Sequence, residues 1–200
     1  MRSVLKRLLI ASAAIAVIGA PATARAEGYV SPWAAVQFGG TIDADTLRAD
    51  VDRGRTGFGV SAGGMGGGII GGEFDFGYSP SFFGTSNDFG NNTVITVMGN
   101  VIVGIPIGGT TGGGVRPYVT GGLGLIRTQI DGGALFPLSS SSSNNQMGYN
   151  IGGGVMGFFS NHFGIRGDIR YMRAFSGDIL NRIDLGSLNF TRLSFGVVFR

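Results

Sequence analysis

The sequence predicts an all-β fold, an eight-stranded antiparallel up-and-down transmembrane β-barrel. Three observations lead to this prediction. The N-terminal segment is typical of an exported protein, 39 of the 200 residues are glycine although only 14% are charged, and eight runs alternate between apolar residues and small or polar ones. An exported, apolar chain without a spanning helix crosses a membrane as a closed barrel, in which every backbone polar group is paired.

Residues 1–26 have the features of a secretory signal peptide. Three basic residues precede an apolar run from Leu8 to Ala20, and Ala24–Ala26 forms an A-x-A cleavage signature. The alternative, an uncleaved anchor, is disfavoured because the run is too short to cross roughly 30 Å of hydrocarbon. We therefore expect cleavage after Ala26, which leaves residues 27–200 as one barrel domain.

The composition excludes several functions. Four of the 15 lysine and arginine residues lie in the signal peptide, so the mature chain has 11 arginines against 12 acids and a net charge of −1 (11 − 12). Without a basic stripe that contains aromatic residues, nucleic acid is not expected as a partner. The chain has no cysteine, which excludes a disulfide scaffold, a thiolate zinc site and a cysteine nucleophile. No cofactor is expected.

The eight alternating runs are predicted strands because side chains of a strand point to opposite faces with a period of two. In chain order they are Tyr29–Phe38, Gly57–Gly63, Ile69–Tyr78, Thr93–Gly104, Pro117–Arg127, Met147–Phe158, Phe163–Arg173 and Thr191–Phe199. One face carries aliphatic and aromatic residues, including Val30, Phe58, Phe74, Val97, Leu123, Ile151, Ile169 and Phe195. The other carries small, polar or charged residues, including Ser61, Glu73, Asn100, Thr120, Gly152, Asp168 and Ser194.

The connections between these runs alternate in length. The long ones are 39–55, 79–92, 128–146 and 174–189, and the shorter ones are 64–68, 105–115 and 159–162. Transmembrane barrels place short turns on the periplasmic side and long loops outside. The glycine-rich stretch 63–68 is expected to end a strand and form a tight turn, since glycine permits positive φ. It is no phosphate loop, because neither a lysine nor a helix follows.

The apolar face is predicted to point outward, towards lipid. Eight strands enclose room for side chains or one small ligand, which suits a lumen of small and paired polar groups. A soluble, lipocalin-like barrel with the apolar face inward is the disfavoured alternative. Inner-face glycines at positions 57, 59, 152 and 154 are expected to leave room for large charged side chains from other strands.

A charged cluster is predicted inside the barrel. GGEFDFGY (71–78) and GIRGDIRY (164–171) align without gaps and lie on the third and seventh strands, which are opposite in an eight-strand ring. We expect the acids of the first motif to meet the arginines of the second. The predicted members are Glu73, Asp75, Arg166, Asp168, Arg170 and Arg192. A structural filling of the barrel is favoured, and a gate for ions is the functional alternative.

The other candidate residues give weaker evidence for a functional site. His162, the only histidine, lies in FSNHFG, a predicted periplasmic turn, whereas lipid A lies in the other leaflet, so no catalytic residue is assigned. No metal site is assigned either, because the acids of the first loop lack the EF-hand glycine; they are Asp43, Asp45, Asp50 and Asp52.

Aromatic residues near the strand ends are predicted to form two interfacial girdles. One contains Tyr29, Tyr118, Phe163 and Phe199, and the other contains Phe38, Tyr78, Tyr149, Tyr171 and Phe175. Trp33 has the parity of the polar face, and we expect it at the rim.

The mature chain resembles the small outer-membrane β-barrel family that includes the OmpA transmembrane domain and OmpX-type proteins. The resemblance rests on YVSPWAAVQFGG, GIIGGEFDFGY, VRPYVTGGLGL, FGIRGDIRYMR and LSFGVVF. It implies insertion by the outer-membrane assembly machinery, which commonly reads a terminal aromatic residue; here Phe199 is followed by Arg200.

The sequence therefore predicts a non-enzymatic protein of a Gram-negative outer membrane, with a structural or surface-interaction role. Its expected partners are outer-membrane lipids, lipopolysaccharide and the assembly machinery, and no ligand of the loops is identified. The alternatives are a narrow pore for ions or small solutes and, less favoured, a lipid A-modifying enzyme.

Overall fold

The computed structural model describes residues 26–44, 47–51, 54–80, 82, 91–131, 142–175 and 187–200. In this part of the chain nine strands follow one another. They are β1 (Ala26–Ala44), β2 (Leu47–Val51), β3 (Arg55–Gly66), β4 (Ile70–Pro80), β5 (Asn91–Gly104), β6 (Gly114–Asp131), β7 (Ser142–Phe158), β8 (Phe163–Ala174) and β9 (Ser187–Phe199). The described residues contain no helix that is long and apolar enough to cross a membrane.

Eight of the strands form a closed antiparallel barrel, as the sequence predicts. From β3 to β9 each strand pairs with the next along the chain, and β1 closes the ring by pairing with both β3 and β9. Strand β2 lies outside this ring. It pairs only with Gly40–Ala44 at the end of β1, so the first long connection, predicted as a loop over 39–55, is largely a hairpin.

The pairing register gives the barrel its stagger. A path of directly paired residues that starts at Val30 runs through Phe74, Leu123 and Tyr149 and returns to β1 at Thr41. The return point lies 11 residues further along (41 − 30), and one of these residues belongs to the bulge between Phe38 and Thr41. A stagger of about ten residues over eight strands means that the strands are tilted against the barrel axis.

Short connections meet at one end of the barrel, which we call the turn end; the opposite end is the loop end. Strand β3 continues through Gly66, so the predicted turn at 63–68 is confined to Gly67–Ile69. Gly67 and Gly68 have φ values of 57° and 71°, a left-handed conformation that favours glycine. Glycine is therefore required at these two positions by the backbone.

Burial alternates along the strands with the predicted parity. In β8, for example, Ile165 and Ile169 are half exposed on the outside, whereas Arg166, Asp168 and Arg170 between them are buried. Large apolar side chains are exposed on the outer face of all eight barrel strands. The prediction that the apolar face points outward is confirmed.

The lumen is layered, which the alternation did not predict. Charged residues occupy the middle, and an apolar cluster lies on each side of them. The loop-end cluster contains Phe82, Val94, Met98, Ile126, Met172, Ala174, Leu188 and Phe190. The turn-end cluster contains Tyr29, Met65, Ile102, Tyr118, Met156, Phe158 and Val198.

Three aromatic residues were placed wrongly from the sequence. Tyr29 and Tyr118 are buried in the lumen instead of contributing to an interfacial girdle, because they share the parity of the inner residues on their strands. Trp33 is 6% exposed and also lies inside, not at the rim. The other girdle aromatics have the outward parity that was expected, for example Phe163 and Phe199, whose rings are 6.0 Å apart.

Candidate functional site

The six predicted lumen charges lie together in the middle of the barrel. Strand β4 contributes two acids and β8 contributes two arginines and an acid, and Arg192 comes from β9. All six side chains are at most 3% exposed. Each strand presents them on its inner face because they are two residues apart, which is the repeat of a strand.

Glu73 is the acceptor on the β4 side. Its carboxylate lies 2.5 Å from Arg166 Nη1 and 2.8 Å from Arg170 Nη2. Tyr29 donates its hydroxyl to the same carboxylate at 2.6 Å, and Asn100 donates through Nδ2 at 3.4 Å. Glu73 therefore joins residues from β1, β4, β5 and β8 across the lumen.

Asp168 is the acceptor on the β8 side. Arg166 and Arg170 each donate through Nε, at 2.9 and 3.1 Å. The hydroxyls of Tyr118 and Ser194 donate to it at 2.8 Å each. Both arginines of β8 are thus held between this carboxylate and the carboxylate of β4, and their guanidinium planes are fixed at two edges.

Asp75 forms the third acidic point. Its Oδ1 lies 2.9 Å from Arg192 Nη1, and Ser61 donates to its Oδ2 at 2.8 Å. Arg170 Nη1 lies further away, at 3.8 Å. Arg192 also stacks on the ring of Trp33, with its Cζ 4.1 Å from the ring centroid. This stacking explains why a tryptophan occupies the inner parity.

The cluster is electrically balanced. Three carboxylates face three guanidiniums, so the net charge is zero. A buried ion without a partner costs several kcal/mol, whereas a paired and hydrogen-bonded network is tolerated in a low-dielectric interior. Arg166 gains further contact from two tyrosine rings, with its Cζ 4.9 Å from the centroid of Tyr118 and 5.9 Å from that of Tyr29.

Glycines make the space for this cluster. A Cβ at Gly154 would lie 2.5 Å from Cβ of Asp168, and one at Gly152 would lie 2.9 Å from Cγ of Arg170. At these two positions glycine does make room for charged groups, as expected. At the other two the neighbours differ: a Cβ at Gly59 would meet the ring of Trp33, and one at Gly57 would meet uncharged polar side chains.

A second charged cluster lies at the turn end and was not predicted from the sequence. Glu27 lies 2.8 Å from Arg116 Nη2 and 3.6 Å from Arg200 Nη1. Arg200 also donates to the carbonyl of Thr110 at 2.7 Å, and both guanidiniums lie over the ring of Phe158. The inner parity of Arg116 on β6 was the available signal. The cluster ties the first and last barrel strands to the longest of the short connections.

The remaining candidates stay apart from both clusters. His162 is exposed in the turn between β7 and β8, where its backbone N–H donates to Ser160 Oγ. Asp45 and Asp52 of the first loop lie outside the described residues, as do the side chains of Asp43 and Asp50. In the described ranges, no three His, Cys, Asp or Glu side chains are close enough to hold a metal ion.

The sequence pattern of one protein family, described as outer membrane protein beta-barrel domain, matches residues 10–200. No curated protein resembles the chain significantly in sequence.

Solved structures that share the fold include those of two bacterial proteins. Neisserial surface protein A is 17% identical with a TM-score of 0.62, and the match covers 87% of this chain and 97% of that one. Ail, the attachment invasion locus protein of Yersinia pestis, solved in complex with the heparin analogue sucrose octasulfate, is 13% identical with a TM-score of 0.54 and the same two coverages.

Proposed function

This chain belongs to the family of outer membrane protein β-barrel domains, and from that premise we propose that it is a closed structural element of the outer membrane. It is an outer-membrane protein, and its outward aliphatic and aromatic side chains contact lipid. The proposed role is to fill the membrane with a rigid, sealed barrel that supports the envelope and carries its long connections at the surface.

The filling of the lumen supports this role. The central cluster has no net charge, and each of its carboxylates contacts at least one guanidinium. Fully buried methionines lie on either side, Met98 and Met172 towards the loop end and Met65 and Met156 towards the turn end. An ion crossing the barrel would have to pass two apolar layers in addition to the charges, and each layer disfavours a hydrated ion.

Single-channel recording tests the proposal. The refolded protein, inserted into a planar bilayer and checked for heat-modifiable migration on a gel, is expected to stay silent at both polarities. A general porin in the same bilayer serves as the positive control for insertion and detection. Steady unitary currents from the folded protein would contradict the sealed-barrel proposal.

A narrow pore is the second candidate, and one observation favours it. Arg170 contacts Glu73 and Asp168 and has a third carboxylate, that of Asp75, at 3.8 Å. A guanidinium with three acids in reach has an alternative set of partners, which is what a gate needs. In that case currents should appear in the wild type, and Arg170→Met should change their open probability.

We further propose that the protein has no catalytic activity. A lipid A-modifying enzyme would need its histidine at the loop end, whereas His162 lies in a turn at the opposite end. Mass spectrometry of lipid A from cells with and without the protein is expected to give identical spectra, and a new acyl or phosphate modification that depends on the protein would refute this.

Insertion by the outer-membrane assembly machinery is likewise a proposal. Phe199 is exposed at the end of β9, as a terminal aromatic signal should be. The backbone N–H of Arg200 donates to the carbonyl of His162 at 3.1 Å, and its side chain joins the turn-end cluster. Depletion of the assembly machinery should therefore leave the protein unfolded in the periplasm, and Phe199→Ala should slow its insertion.

A further inference from the structure

Two arginines on the outer surface have no part in either charged cluster. Arg127 on β6 and Arg173 on β8 have the parity of the lipid-facing residues, and both are exposed. Within the described ranges neither is ion-paired, whereas the buried arginines of the lumen all are. We propose that these two arginines form a binding site for the diphosphorylated disaccharide head group of lipid A in the outer leaflet.

The stagger of the barrel brings the two arginines to nearly the same level. On the intervening strand β7, Arg127 pairs with Asn145 and Arg173 pairs with Tyr149, an offset of four residues (149 − 145) towards the turn end. A stagger of about ten residues over eight strands lifts the pairing line by about 2.5 residues over two strands. The two positions therefore differ in level by about 1.5 residues, or roughly 5 Å.

The lateral spacing suits a ligand with two anionic groups. Two strand spacings of about 10 Å, combined with the four-residue offset of about 13 Å along the strands, place the two Cα atoms roughly 16 Å apart, a gap that the long arginine side chains can shorten. Asn145, which is exposed between them, offers an amide to a sugar hydroxyl. A disaccharide with a phosphate at each end presents its charges at two separated points, and guanidiniums bind phosphate through paired hydrogen bonds.

The surroundings place this pair at the membrane interface. Three aromatic residues lie around the position of Arg173: Tyr149 pairs with it on β7, Tyr171 is two residues towards the turn end, and Phe175 is two residues towards the loop end. The Tyr149 ring is 6.5 Å from that of Tyr171 and 5.6 Å from that of Phe175. Aromatic belts mark the level of the lipid head groups. The aliphatic rows of β6 and β8, which end in Leu125 and Ile169, continue below this level into the hydrocarbon.

The charge at this level determines the occupant. An exposed cation beside a membrane surface is attracted by anionic head groups. If the long connections lie outside the cell, the loop end of the barrel is in the outer leaflet, where lipid A supplies the phosphates. The site thus rests on the proposed orientation, whereas the affinity itself is a property of the folded protein and can be measured without it.

Native mass spectrometry of the folded, detergent-solubilised protein with diphosphoryl lipid A tests the site. We expect one lipid to be retained per chain. Arg127→Gln together with Arg173→Gln should weaken binding by about 25-fold, as two contributions of about five-fold each. Arg116→Gln, which removes the same charge at the turn end, is the matched control and should bind like the wild type. Heat-modifiable migration confirms that each variant is folded.

Two further ligands make the test specific. Monophosphoryl lipid A should bind the wild type more weakly than diphosphoryl lipid A does, and its affinity should fall less in the double variant. The affinity for phosphatidylethanolamine should be the same in the wild type and the double variant. Equal binding of all lipids by both proteins would overturn the site. Binding of a soluble sulfated disaccharide through the same two arginines, as tightly as diphosphoryl lipid A, would show a general polyanion surface and would also overturn it.

A separate measurement distinguishes failure of the orientation from failure of the site. The chain has no cysteine, so Leu47→Cys provides a single thiol in the hairpin of β1 and β2 at the loop end, outside the proposed site. A membrane-impermeant maleimide should label it in intact cells. If the thiol is not labelled but the folded protein in detergent still prefers diphosphoryl lipid A, the orientation is wrong and the assignment of the site to the outer leaflet is refuted.

Discussion

Removal of the Glu73 carboxylate should destabilise the barrel strongly. This group accepts from Arg166 at 2.5 Å, Arg170 at 2.8 Å and Tyr29 at 2.6 Å, and its side chain is fully buried. In Glu73→Ala the lumen holds three guanidiniums and two carboxylates, so a net charge of +1 remains in the interior. Asp168 would then be the main counter-charge of both arginines of β8, with Asp75 3.8 Å from Arg170.

The expected loss follows from these contacts. Hydrogen bonds to charged partners contribute about 1.5–3 kcal/mol each, and those from Arg166, Arg170 and Tyr29 are all lost. Rearrangement of the two arginines around Asp168 recovers part of this. Breaking a buried ion pair on one side typically costs about 3–5 kcal/mol. We expect the free energy of unfolding to fall by about that amount in Glu73→Ala, and by a smaller amount in Glu73→Gln, which keeps the volume and one acceptor.

Urea unfolding of the protein in detergent micelles measures this loss. The single tryptophan, Trp33, stacks on Arg192 inside the barrel, so its fluorescence reports the integrity of the cluster. The midpoint should fall in both single variants, with the slope unchanged if the two-state transition is preserved.

A compensating double variant separates charge balance from packing. Glu73→Gln combined with Arg166→Gln leaves two carboxylates and two guanidiniums, so the lumen is neutral again. Its loss should be clearly smaller than the sum of the two single losses, because the second change removes the unpaired charge created by the first. Strictly additive losses, or an unchanged midpoint in Glu73→Ala, would refute the reasoning.

Three other predictions concern packing, the turn end and the direction of side chains. Gly154→Val should lower the free energy of unfolding by roughly 1–3 kcal/mol through overpacking against the cluster. Gly72 lies on the outer face and has no atom within 3.4 Å of an added Cβ, so the control Gly72→Val should change the free energy of unfolding by less than about 0.5 kcal/mol. Arg200→Ala removes the contacts with Glu27 and should cost about 1 kcal/mol, seen as a lower urea midpoint; no change would mean that the turn-end cluster contributes nothing. In vesicles, Trp33 should be quenched neither by brominated lipids nor by acrylamide, and strong quenching by brominated lipids would place it on the lipid face.

Much of the fold was predictable because alternation is local. A residue's face in a strand depends only on its parity, so the outward direction of Ile165 and Phe195 and the inward direction of Glu73 and Arg170 could be read from the chain. The same rule applied to Tyr29 and Tyr118 would have placed both inside. They were assigned to the girdle from their nearness to strand ends, although their parity indicated the lumen.

The members of the charged cluster were also predictable, but their pairing was not. An antiparallel ring of eight strands puts the third and seventh opposite each other, which places β4 and β8 across the lumen. Which carboxylate meets which guanidinium depends on the height of each residue on the barrel axis. That height follows from the register and from the bulge near Gly39, neither of which leaves a local signal.

The sequence alone determined the number of barrel strands, the lipid-facing side and the chemistry inside, since each depends on the two-residue repeat of an extended chain. The tertiary structure decided what is close across the barrel: the apolar layers that enclose the charges, the joining of Glu27 to Arg116 and Arg200, and the shared level of Arg127 and Arg173. These proximities arise from the stagger that closes the sheet, a property of all eight strands together and of no single segment.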